Sequence, residues 1–104
     1  MADVLTIYEG SPADTNEATV ATIATGKAFI MQGYWISNSN AEAKTAILKI
    51  GTDTVVIPGA SIGAKDALVK NDLNIPILAG KTIKFTAGVA NDIDYYIWGI
   101  TIDN

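Results

Sequence analysis

The stretch Thr82–Ala87 alternates side chain by side chain, with Ile83, Phe85 and Ala87 on one side and Thr82, Lys84 and Thr86 on the other. A helix would scatter these residues around its axis, whereas an extended strand sends neighbours to opposite faces. Tyr95–Ile102 repeats the pattern, with Tyr96, Trp98, Ile100 and Ile102 pointing one way and Tyr95, Ile97, Gly99 and Thr101 the other. The chain also holds 15 isoleucines and 11 threonines, and β-branched side chains pack well on a pleated surface. A period of two in β-branched material constrains this chain to an all-β fold.

Further strands read from the same signals. Val4–Tyr8 and Ala18–Thr25 are short candidates, separated by the turn-forming run Glu9–Asp14. Lys27–Ser37 is the longest, with Phe29, Met31 and Trp35 on one face and Ile30, Gln32, Tyr34 and Ile36 on the other. Both faces are apolar, which suits a strand covered twice or one whose outer face meets a partner. Gly33 at its centre predicts a bulge or a close approach. Asn38–Ala41 is a loop. Lys44–Ile50 turns at Gly51-Thr52-Asp53 into Thr54–Ile57, a hairpin that Pro58-Gly59 is expected to end. Ser61–Val69 is open between a helical turn and an extended segment, because Ile62, Ala67 and Leu68 could line a helix that Gly63 weakens. Asp72–Ile77 reads as an edge segment, since Pro76 cannot donate to a ladder. Ala79-Gly80-Lys81 is a turn and Gly88–Asp92 a loop. About eight strands with turn signals every ~8–12 residues predict an antiparallel β-sandwich, jelly-roll-like.

A length of 104 residues predicts a single domain, residues 1–104, large enough for one core without staples. Charged residues make up 17% of the chain, below the usual ~25%, so some apolar surface is expected to lie against another subunit. The net charge is −4, and the seven lysines are scattered from Lys27 to Lys84 with no arginine. Nucleic acid and anionic membrane are therefore not expected partners, because both demand clustered cations. No apolar run approaches the ~18 residues of a membrane span, and no N-terminal stretch joins a basic flank to an apolar run as a secretory signal does.

Histidine and cysteine are absent, so the common nucleophilic triads and His/Cys zinc sites cannot be assembled. No phosphate-cradling glycine loop occurs. The best carboxylate pair is Asp92 and Asp94, which could form a calcium or acid–base site but is read as a turn followed by a solvated strand start. No enzyme activity and no cofactor is expected. Trp35 and Trp98 could be sugar-stacking platforms, but each shares an apolar strand face and is read as core. Tyr34 and Tyr95 then lie on the opposite faces and become the candidates for contact.

Three stretches together carry a resemblance. They are Ala24–Ile30 followed by Trp35–Ser39, Val56–Ile62, and Ile77–Ile83 leading to Tyr95–Ile100. A Gly-Lys turn enters a strand ending in Ser/Asn, a Pro-Gly break follows, and Ala-Gly-Lys-Thr-Ile precedes the final aromatic strand. This order resembles small phage virion proteins built as β-sandwiches, over most of the chain from Ala24 onward. The resemblance implies a capsid decoration (cement) or tail-associated structural protein, located in the virion after assembly in the host cytoplasm. Its partners are then the major capsid protein and itself, as a homotrimer. Contact is expected through Tyr8, Tyr34, Asn38, Asn40, Asp92 and Tyr95, with residues 1–23 as a docking arm that includes the first strands. The alternative is a tail or baseplate module that binds host-surface carbohydrate.

Overall fold

The computed structural model describes residues 3–104. Nine strands follow in order: β1 (Val4–Gly10), β2 (Ala18–Thr22), β3 (Lys27–Asn38), β4 (Lys44–Ile50), β5 (Thr54–Ile62), β6 (Asp66–Lys70), β7 (Ile75–Leu78), β8 (Thr82–Ala87) and β9 (Ile93–Asp103). They form two antiparallel sheets. One runs β1-β9-β3-β6, with β7 also on β3, and the other runs β2-β8-β4-β5. Strand β6 pairs with Tyr34–Asn38 and β7 with Ala28–Met31, so the two lie end to end along one flank of β3 and share a single strand position. The pairs β1·β9, β2·β8, β3·β6/β7 and β4·β5 nest about the β4–β5 hairpin. That nesting is the rolled-up hairpin of a jelly roll, and the all-β sandwich expected from the alternation is the fold observed.

The core lies between the sheets. Phe29, Met31, Ile36, Ile77, Ile93 and Ile97 from the first sheet meet Leu48, Ile57, Ile83 and Phe85 from the second, and each is almost completely buried. Every such large side chain contributes roughly 1.5–3 kcal/mol by leaving water. Ala46 and Leu48, and Ile83, Phe85 and Ala87, face inward as their periodicity predicts.

Two local readings are corrected and one open reading is settled. Ser61–Val69 is extended, with β5 and β6 joined by a turn in which Lys65 takes a positive φ of 59°. Pro58-Gly59 does not end β5, which continues to Ile62. As the outermost strand of its sheet β5 tolerates a residue with no N–H, and the β4–β5 register shifts between Ala46 and Ile47 and again between Leu48 and Lys49 to absorb the break. Within residues 1–23, the expected docking arm that includes the first strands, residues 4–10 and 18–22 are the hydrogen-bonded strands expected there, β1 on β9 and β2 on β8. Residues 1 and 2 of that arm lie outside the described residues.

The second correction concerns which way the long strands face. The β3–β9 register shifts between Met31 and Gly33, the bulge that Gly33 foretold. The extra residue reverses the parity of β3. Phe29 and Met31 point inward before it, and Tyr34, Ile36 and Asn38 after it. Trp35, expected in the core, is thereby turned out and is 52% exposed. On β9 the inward set is Ile93, Ile97 and Gly99, so Trp98, also expected in the core, stands on the outer face with Tyr96.

Candidate functional site

The outer face of the β1-β9-β3-β6 sheet is built from rows of directly opposed residues. One row holds Leu5, Ile100, Ile30 and Pro76; the next holds Ile7, Trp98 and Gly33; a third holds Glu9, Tyr96, Trp35 and Val69. Leu78 extends the surface at one end. Opposed side chains in a ladder sit about 4.5–5.5 Å apart at Cβ, so these rows form one continuous apolar sheet surface. Leu5 (68%), Ile7, Trp35, Val69, Leu78 and Tyr96 are six of the eight large hydrophobics left exposed among the described residues. Trp98 is half-buried because its indole lies over Gly33, where a Cβ would collide with the ring. Tyr96 and Trp98 pack at 6.0 Å between ring centroids with their planes at 49°.

At one end of this face the surface dips into an open trough of about 790 Å³, lined by Glu9, Ser11, Trp35, Ser37, Asp94 and Tyr96 together with the edge of Tyr95. Asp94 is opposite Ser37, one row beyond the Tyr96–Trp35 pair. The trough therefore combines the rings of Trp35 and Tyr96 and the edge of Tyr95 with the carboxylates of Glu9 and Asp94 and the hydroxyls of Ser11 and Ser37, and no basic side chain lines it.

Of the six expected contact residues only Tyr95 borders the trough, and the other five lie elsewhere. Tyr34 is 8% exposed and Asn38 1%, so both belong to the core, because the bulge turned that half of β3 inward. Asn38 is a structural pin. Its Nδ2 donates to the carbonyls of Glu42 and Ile62, each at 3.0 Å, and of Gly63 at 3.3 Å, while its Oδ1 accepts from the Asn40 amide at 2.9 Å. Tyr8 points inward, its ring edge-on to Phe29 at 5.2 Å, and Tyr95 packs on Phe85 at 5.0 Å. Burial raises the phenol pKa of Tyr8, Tyr34 and Tyr95 above the ordinary value, since the charged phenolate loses hydration there. Asn40 and Asp92 sit in adjoining loops and bond to each other, Nδ2 to Oδ2, at 2.8 Å. Asp92 and Asp94 do not converge: one is held by Asn40 and the other opens onto the trough.

No family model matches the chain, and no curated protein matches it. Solved structures share its fold, two of them as follows. One is the Drosophila NLP core, described for its pentamer formation and histone binding, at 17% identity and a TM-score of 0.55 over 95% of this chain and 98% of that one. The other is the acid-stable capsid of the Helicobacter pylori bacteriophage KHP30, at 10% identity and a TM-score of 0.55 over 97% of this chain and 87% of that one. Both likenesses concern architecture. A phage capsid chain is thus a structural neighbour, as is a protein of different role.

The residues that sequence reasoning missed are Leu5, Ile7, Val69, Leu78 and Tyr96. The available signal was the doubly apolar character of Lys27–Ser37, which already required a cover for the outer face.

Proposed function

We propose that this chain is a phage structural protein that decorates and stabilises a capsid by bridging neighbouring subunits. The observation that carries this reading is the continuous apolar outer face bearing Leu5, Ile7, Trp35, Tyr96 and Trp98. An exposed patch of this kind marks an interaction surface, and exposed aromatic rings are the side chains most often responsible for binding energy at protein contacts. The shared architecture with a phage capsid chain supports it at the level of fold. The mechanism is mechanical. A rigid sandwich buries this face against the major capsid protein and against copies of itself, as a homotrimer. Contacts of roughly 1,600 Å² each then resist separation of the shell. Such work needs area and stability, and no catalytic group.

A second reading, a tail or baseplate module that binds host-surface carbohydrate, is favoured by one observation: Trp35 is turned outward beside Tyr96.

The test is the mass in solution, alone and after mixing with purified capsids of the phage that encodes the chain. A homotrimer that sediments with capsids is expected, and Trp35→Ala is expected to release it. A monomer that ignores capsids and binds host glycans overturns the reading.

A further inference from the structure

We propose that the trough between Trp35 and Tyr96 receives a basic side chain, an arginine or lysine, presented by the partner protein. The inference rests on the reading of this face as a protein contact and adds the chemistry of the partner at one point on it.

The trough has aromatic surface to hold a flat group and two acceptors to anchor it. Tyr96 stands between Glu9 on β1 and Trp35 on β3, each its directly opposed neighbour. Asp94 lies two residues along β9 on the same face, about 7 Å away by strand geometry. Neither carboxylate has an ion-pair partner among the described residues. The ion pairs among the described residues are Lys27–Asp103, Lys44–Glu42, Lys49–Glu17 and Lys84–Glu17, and none involves Glu9 or Asp94. The hydroxyl of Ser11 bonds to the Asn91 carbonyl at 3.3 Å, which leaves its lone pairs free to accept.

A neutral occupant would strip water from two carboxylates and return no charge, which is costly. A cation offsets that loss and is attracted to the ring faces as well. Of the two basic side chains the guanidinium fits better, because it is planar, weakly hydrated and stacks on aromatic rings while its N–H groups fork toward carboxylates. This chain contains no arginine, so a guanidinium must come from a different protein, not from a second copy. The acidic balance of the whole chain, −4, favours approach of a basic segment over the range of salt-screened electrostatics.

The experiment is a titration of the intact protein followed by the Trp35 indole N–H resonance. The probes are acetyl-Gly-Arg-Gly-amide, its glutamine counterpart and the neutral sugar cellotriose. The arginine peptide is expected to shift Trp35 saturably, with an effect that weakens as salt rises. Its affinity is expected to fall about tenfold, roughly 1.4 kcal/mol, in the double variant Glu9→Gln/Asp94→Asn and equally against the glutamine peptide. Both replacements are exposed and isosteric, and an unchanged amide spectrum elsewhere confirms folding. Equal response to arginine and glutamine peptides, or a Trp35 shift with cellotriose alone, overturns the inference. The double variant is also mixed with capsids. If the wild type binds capsids and the variant binds as well, the trough inference falls and the capsid reading stands. If the wild type ignores capsids but Trp35 responds to the arginine peptide, the capsid reading falls and the trough inference stands.

Discussion

The two sheets of the sandwich turn opposite kinds of surface to solvent. The outer face of β2-β8-β4-β5 carries Thr19, Thr45, Thr82 and Thr86 with Lys49 and Lys84. The two lysines are directly opposed, an arrangement that repels, and Glu17 lies between them with its oxygens 3.6 Å from Lys49 Nζ and 3.9 Å from Lys84 Nζ. Val55 is the large hydrophobic most exposed on that side. The outer face of β1-β9-β3-β6 carries aromatic and aliphatic side chains, with Glu9 and Asp94 at one end and Lys65 and Asp66 bordering Trp35 and Ser37 there. Both sheets bury an equivalent apolar inner face, so folding alone explains only the inner half of this apolar content. One outer face has been finished for water and the other has not. That difference is the ground on which the proposed contact rests.

The largest expected effect tests the premise that both sheets share one core. Phe85→Ala is expected to cost about 3–5 kcal/mol in denaturant unfolding, whatever the outer faces do, because Phe85 is 1% exposed. A cost below ~1 kcal/mol would mean that the sheets do not pack as described. Next comes the asymmetry itself. Trp35→Ala is expected to weaken binding to capsids by about 2 kcal/mol or more, some 30-fold, while monomer stability stays within about 1 kcal/mol. Val55→Ala on the opposite face is expected to leave binding unchanged, and equal losses from the two would erase the comparison. Trp98→Ala is expected to cost about 1–2 kcal/mol in the monomer, less than a core aromatic, because its ring covers Gly33 but keeps one side in water. Glu17→Gln is expected to cost about 0.5 kcal/mol and to lose even that at high salt, as exposed pairs do.

An alkaline titration probes the boundary between inside and outside. Tyr8, Tyr34 and Tyr95 have folded-state pKa values above the ordinary value of about 10. The unfolded chain therefore loses these protons first as pH rises. Stability is full below the ordinary tyrosine range and falls as pH climbs through it toward the raised values. Phenolate absorbance should show these three ionising late and together with unfolding. Early ionisation of Tyr8, Tyr34 and Tyr95 would place their rings outside the core.

Much of the sandwich was legible in the residues. Ile83, Phe85 and Ala87 alternate against Thr82, Lys84 and Thr86, and only one face of such a strand can go inward. The hairpin at Gly51-Thr52-Asp53 and the edge position of Pro76 were equally plain, since turn and edge chemistry are local. The contact surface was not legible. On β3 and β9 both faces are apolar, so periodicity announced strands but could not say which side was inside. Extending the Phe29–Met31 parity through β3 puts Trp35 inward and Tyr34 outward, the apolar row of Tyr96, Trp98, Ile100 and Ile102 puts Trp98 inward, and Asn38 reads as the start of a loop.

That parity is broken by one residue near Gly33, opposite Trp98 on a strand more than sixty positions away. Strand content and the sandwich class follow from the order of side chains alone, because burial of an alternating face is a local demand. Which face meets solvent depends on a bulge whose position is set by pairing between distant segments, where shifting register by one residue exchanges every inward side chain for an outward one. Only the assembled sheets decide that, and with it where this protein can touch a partner.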